Sequence, residues 1–299
     1  PLNEAASEAE AQAHYQIYTD AVHTIGALTR RTGVYTAHNL SLKLSAICPF
    51  FRHLCAQQVH YYLLPKLKTL FLLAKEYQIS ICLEAEESTR LELSLSLVEA
   101  LAAETVLAGY HGIGITLQAY QKRAPAVIEL LADCARKNQT RLMVRLVKGG
   151  YWSQEIQAAQ SAGLNGYPVY TRKAHTDLSY LACAQLLLAA EDALYPQFAT
   201  HNPDTVAAIH EMAQERELEF QCLHGLGETL FDHVAGEKQL SRRCRIYLPV
   251  GEAAQWSDYT ARRLCDRFTL NLADTLPETE ETADGIRSPR NPLDAAVST

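Results

Sequence analysis

The chain lacks an excess of positive charge: 27 Lys and Arg stand against 34 Asp and Glu, a net of −7. Non-specific attraction to nucleic acid needs a basic face, so this balance argues against a nucleic-acid partner. No CxxC pair occurs, and eight cysteines in 299 residues are too sparse to staple a small domain. Cys82 and Cys134 sit in apolar runs, where a thiol packs as a small hydrophobe. No secretory signal opens the sequence, so a reducing, cytoplasmic setting is expected. No apolar run approaches the roughly 18 residues of a membrane span; that leaves contact with a membrane surface open. There is no GxGxxG after a strand and no P-loop. A dinucleotide would therefore be held by something other than a Rossmann unit. Cys222 and His224 fall short of the three or four ligands zinc requires, and no metal is expected. Internal repeats are absent.

What is present is 48% hydrophobic residues in an alternation of strands and helices. Short β-rich runs are expected at Ser41–Ile47, Ser80–Ala85, Gly112–Ala119, Arg141–Val147, Tyr195–Thr200, Glu219–Leu223 and Cys244–Pro249. Helical spacing fills the gaps, as at Leu63, Leu64, Leu67, Leu70, Phe71 and Ala74. This alternation predicts an α/β fold with parallel strands, a (β/α)8 TIM-type barrel. Seven strands are counted and the chain opens on a helix, about Glu4 to Leu28, so the barrel's first strand is expected to be lacking. A seven-stranded open sheet is the rival. Residues 1–276 are assigned to the barrel and 277–299 to a polar, poorly ordered tail. A last helix, Asp258 to Arg267, is expected over the C-terminal mouth.

In such a barrel, chemistry collects at the C-terminal strand ends. Those ends carry Lys43, Glu84, Gln118, Arg145, Lys148, Thr200, His201, Asn202, Gln221 and Tyr247. In Arg141–Trp152, Arg145 lies within a buried-looking strand, where it needs an anionic partner. Gly149 and Gly150 permit close approach of a ligand, and Tyr151 and Trp152 offer flat surfaces. Such a segment suits a large planar, phosphate-bearing cofactor; Arg145 paired with Glu84 or Glu86 is the bland alternative. Tyr259, Arg262 and Arg263 share a helix face that suits a small carboxylate; a solvated face paired with Asp258 or Asp266 is the alternative. His201 and Asn202 are either cofactor contacts or loop and capping residues.

These segments resemble the proline dehydrogenase domain of the bifunctional flavoenzyme family proline utilization A. The resemblance rests on Ser41-Leu-Lys-Leu-Ser-Ala46, Glu84-Ala-Glu-Glu-Ser88, Gln118-Ala-Tyr-Gln-Lys-Arg123 and Arg145-Leu-Val-Lys-Gly-Gly-Tyr-Trp152. It continues through Gly166-Tyr-Pro-Val-Tyr-Thr-Arg-Lys173, Tyr195–Asn202, Glu219-Phe-Gln-Cys-Leu-His-Gly225, Arg245-Ile-Tyr247 and Tyr259 with Arg262-Arg263. It implies FAD at the barrel mouth, held by Gln118, Arg145, Val147, Lys148, Gly149, Gly150, Tyr151, Trp152, Arg172, Lys173, Thr200, His201, Asn202 and Gln221. By the same resemblance, Lys43, Arg262 and Arg263 hold the carboxylate of L-proline. Tyr151, Leu223, Tyr247 and Tyr259 wall the ring, and Glu84 lies beside the amine. The implied reaction is hydride transfer from proline C5 to the flavin, with electrons passing to a quinone, at a membrane surface in this family.

The sequence departs from the family's pattern at Glu84, where an Asp is usual, and at Asp266, where a Glu is usual. The stretch after Asp266 is also shorter. Two other readings are weighed: a barrel that binds flavin or ligand without turnover, and a Schiff-base lyase using Lys43 or Lys148.

Overall fold

A computed structural model describes residues 2–29, 33–52, 55–236 and 240–249. Residues Leu2–Leu248 form one compact unit. Its elements are α1 (Glu8–Leu28), β1 (Asn39–Leu42), α2 (Ala56–Tyr77), β2 (Ser80–Leu83), α3 (Leu91–Ala102), β3 (Ile113–Gln118), α4 (Ala124–Lys137) and β4 (Leu142–Val147). They continue with α5 (Trp152–Ser161), α6 (Lys173–Ala189), β5 (Leu194–Ala199), α7 (Pro203–Ala213), β6 (Glu219–Leu223), α8 (Glu228–Ala235) and β7 (Arg243–Tyr247). Among the described residues, seven strands form one sheet in chain order, every adjacent pair parallel. The sheet curls, with helices outside, into a TIM-type barrel short of one strand. The assigned boundary at residue 276 and the helix expected from Asp258 to Arg267 lie outside the described residues.

Local chemistry explains most boundaries. Ser7 caps α1 by accepting from the Glu10 N–H, and Glu10 reaches back to the Ala6 N–H. The helix therefore begins four residues later than the expected start at Glu4. In α4, Val127, Ile128, Leu131, Cys134 and Ala135 recur three and four apart and are buried against the sheet. β2 and β3 are buried along their whole length, as expected for strands covered on both faces.

One strand differs from expectation. The run Ser41–Ile47 reads as a strand, but β1 ends at Leu42, and Leu44–Ala46 forms a 3-10 turn. Leu44, Ala46 and Ile47 are buried all the same. A short apolar run is buried in either conformation, so its periodicity cannot separate them. The chain leaves the sheet because the Ala46 N–H turns back to the Lys43 carbonyl.

Charge, rather than bulky aliphatic residues, fills part of the barrel interior. Glu219 on β6, its side chain 2% exposed, accepts from Gln197 on β5, Gln221 on β6 and Arg245 on β7. Arg245 also donates to the carbonyls of Ala37 and Tyr35, at 2.6 and 3.2 Å, just before β1. No strand ladder joins β7 to β1 among the described residues, so this side chain is a polar tie across that seam. Removing one partner of a buried pair typically costs about 3–5 kcal/mol. Arg245→Leu should therefore lower stability to urea by roughly that amount, with the cooperative transition retained. A loss below about 1 kcal/mol, the range of an exposed pair, would show that Glu219 is solvated instead.

Candidate active site

Arg145 sits in the middle of β4, its side chain 5% exposed. Its Nη1 donates to Glu84 Oε1 at 2.8 Å and to Ser41 Oγ at 2.9 Å, and its Nη2 to Asn39 Oδ1 at 3.2 Å. The Tyr247 ring lies 5.6 Å from the guanidinium carbon. These partners lie on β1 and β7 or directly after β2, none of these strands a neighbour of β4 in the sheet, so they meet across the barrel interior. Burial works against the charge, and the surrounding Cys82, Glu84, Tyr247 and Glu219 side chains outweigh it, so the Arg145 pKa is raised. Arg145 Nε is buried with no hydrogen-bond partner. A buried donor left unsatisfied costs free energy unless something accepts from it.

The rim is cross-braced. Gln118, the last residue of β3, donates to the Glu86 carbonyl at 2.9 Å and accepts from the Gly150 N–H at 3.0 Å. His201 Nε2 accepts from the Leu223 N–H at 3.1 Å, tying the end of β5 to that of β6. Lys148 donates to Asp177, and Lys173 donates to the other oxygen of the same carboxylate at 2.7 Å. Two ammonium groups on one carboxylate leave this corner with a net positive charge. Burial opposes ionisation of Asp177, but bonds from the two lysines hold its pKa below the ordinary 3.8. Its contribution to stability is therefore complete above that ordinary value and is lost as pH falls through the depressed one. Limited proteolysis within residues 163–172 should be slow at neutral pH and quicken in that acid range. Asp177→Asn should be cut quickly at neutral pH as well; equal rates in both proteins would sink this assignment.

A family model for proline dehydrogenase matches residues 2–266. The chain belongs to the proline dehydrogenase family. It is 49% identical to bifunctional protein PutA of Escherichia coli strain K12, over 95% of this chain and 23% of that protein. A crystal structure of a proline utilization A variant from Bradyrhizobium japonicum superposes with a TM-score of 0.85 at 43% identity, covering 89% of this chain and 27% of that one. Proline utilization A from Bdellovibrio bacteriovorus, inactivated by N-propargylglycine, superposes at 0.84 with 29% identity, covering 92% and 31%. The chain thus spans about a quarter of the length of these relatives.

Of the residues expected at a proline dehydrogenase site, the structure brings Arg145, Glu84 and Tyr247 together. Lys43 follows β1 directly, Val147 ends β4, Leu223 ends β6, and Thr200 follows β5, so all lie at C-terminal strand ends. Tyr151 caps α5, and Trp152 opens it, with its Nε1 donating to the Tyr170 carbonyl. Arg172 caps α6 and is exposed. Gln221 donates to Glu219. Asn202 caps α7 by accepting from the Thr205 N–H at 2.8 Å, so its side-chain oxygen serves the fold. Gly149 adopts φ +141°, and a Cβ there would strike the Tyr120 ring. Its glycine is required by packing, whereas Gly150 faces open space. Tyr259, Arg262, Arg263 and Asp266 lie outside the described residues. Sequence reasoning missed Asp177, Glu219 and the bridging role of Arg245; unpaired basic residues nearby were the signal available.

Proposed function

We propose that this chain oxidises L-proline to 1-pyrroline-5-carboxylate, the first step of proline catabolism, with FAD bound at the barrel mouth. The observation that carries this reading is the buried Arg145 with its orphaned Nε, at the centre of a barrel of the proline dehydrogenase family. An isoalloxazine ring supplies acceptors for such a donor, and the open space beside Gly150 lets a ligand approach the backbone closely. The surplus charge of Lys148 and Lys173 over Asp177 suits the phosphates of FAD. Gln118, Val147, Trp152, Arg172, Thr200, His201, Asn202 and Gln221 complete the proposed cradle.

FAD would supply the acceptor for the hydride lost from proline C5, while the amine proton would pass to solvent. The chain's own residues bind and orient. Lys43, with Arg262 and Arg263, holds the carboxylate; Tyr151, Leu223, Tyr247 and Tyr259 wall the ring. Glu84, one of whose oxygens accepts from Arg145, would take a hydrogen bond from the amine. Arg145 offers fixed positive charge in a dry site, where such charge acts strongly on negative charge developing beside it. Electrons would then leave to a quinone, at a membrane surface; no helix among the described residues is long and apolar enough to cross a membrane. Lys148 sits in an ion pair with Asp177, unlike the desolvated free amine that Schiff-base chemistry needs.

The reading is tested by purifying the chain with flavin and adding L-proline without oxygen. A yellow protein bleached by L-proline, and unaffected by D-proline, is expected. A yellow protein that L-proline leaves unchanged would point to a barrel that binds without turnover.

A further inference from the structure

Glu86 has no part in the chemistry above, yet its side chain is only 2% exposed. It stands two residues beyond Glu84, past the end of β2. Its Oε1 accepts from the Ser45 N–H at 3.0 Å, in the turn directly after Lys43. Its Oε2 accepts from Arg90 Nη1 at 2.6 Å. Its backbone carbonyl accepts from Gln118 Nε2. Arg90 is itself fixed by Glu4 at 2.8 Å and Glu87 at 3.2 Å. A second tie comes from α1: Tyr18 Oη accepts from the Lys43 N–H at 3.1 Å. Burial pushes the Tyr18 phenol up to about 12, so it stays a neutral acceptor.

A buried carboxylate carries a desolvation cost of several kcal/mol unless its partners are well placed. Here both oxygens have partners, and one partner is the backbone from which Lys43 has just emerged. We infer that Glu86 is a positioning residue for the substrate carboxylate: by clamping the Ser45 N–H against Arg90, it fixes the turn that presents Lys43. This rests on the reading that Lys43 binds the carboxylate. Through its carbonyl, the same residue holds Gln118, so the substrate and flavin sides of the mouth share one anchor.

Glu86→Gln is nearly isosteric but has one acceptor oxygen for two donors, so either the Ser45 N–H loses its partner or Arg90 is left with Glu4 and Glu87 alone. Glu86→Asp keeps the charge and is one methylene too short to hold both. Binding to the flavin-loaded protein would be measured by calorimetry with two probes. Cyclopentanecarboxylate has the acid group and lacks the amine; pyrrolidine has the amine and lacks the acid. Both variants should bind cyclopentanecarboxylate about tenfold more weakly, the scale of one lost hydrogen bond. Pyrrolidine affinity and flavin content should not change. Equal weakening of both probes, or of neither, would overturn the role of Glu86. Lys43→Met separates the two ideas. If it weakens cyclopentanecarboxylate and the Glu86 variants do not, only the positioning role fails. If it has no effect, the assignment of Lys43 fails as well.

Discussion

Arg145→Met should reduce proline turnover by about 1,000-fold or more, in line with loss of a preorganised charge at a reacting centre. Two effects combine. The fixed positive charge disappears from the middle of the barrel. The partners of Arg145, namely Glu84, Ser41 and Asn39, also lose their donor. An unpaired, half-buried Glu84 carboxylate should further lower stability by up to about 3–5 kcal/mol. Arg145→Lys helps to separate these effects. Lysine keeps the charge but is a single point donor and cannot reproduce the three-armed geometry. It should recover most of the stability and little of the turnover. Full activity in Arg145→Met, with flavin content preserved, would mean that the Arg145–Glu84 pair is only a structural brace.

Lys43→Met is expected to raise the proline concentration needed for half-maximal rate by roughly 10- to 150-fold, the value of one charge-assisted hydrogen bond. Flavin content should be unchanged, because Lys43 follows β1 on the side of the mouth away from the Lys148–Asp177 corner. The rate at saturating proline should fall far less. A loss of flavin matching the loss of proline binding would place Lys43 on the cofactor instead.

The sequence made the strand–helix alternation legible because six of the seven strands are long enough, or flanked clearly enough, to show their pattern. β1 is shorter than its apolar run because Leu44, Ala46 and Ile47 are buried without being in the sheet. What removes them from it is a backbone turn, held by Glu86 some 40 residues away, and no local pattern encodes that contact. Arg145 was legible as a buried charge in need of an anion, and Glu84 was named as one candidate partner. That pairing, offered as the alternative to a cofactor role, coexists with a free Nε, so the two readings do not compete. Asn202 is ambiguous because the same side chain caps helices and binds ligands; its oxygen caps α7, which leaves its amide nitrogen for a ligand. Glu219 and Arg245 looked like ordinary strand residues. Their meaning lies in closing the curl between the first and last strands, a property of the whole sheet.

The most direct test of the central claim is the fate of label in L-proline carrying deuterium at both C5 positions. After turnover by the 299-residue chain, mass spectrometry of the pyrroline product should show one deuterium retained and one lost. Product retaining both would place the oxidation at another carbon, and recovery of unchanged proline from a flavin-loaded protein would contradict the proposed activity outright.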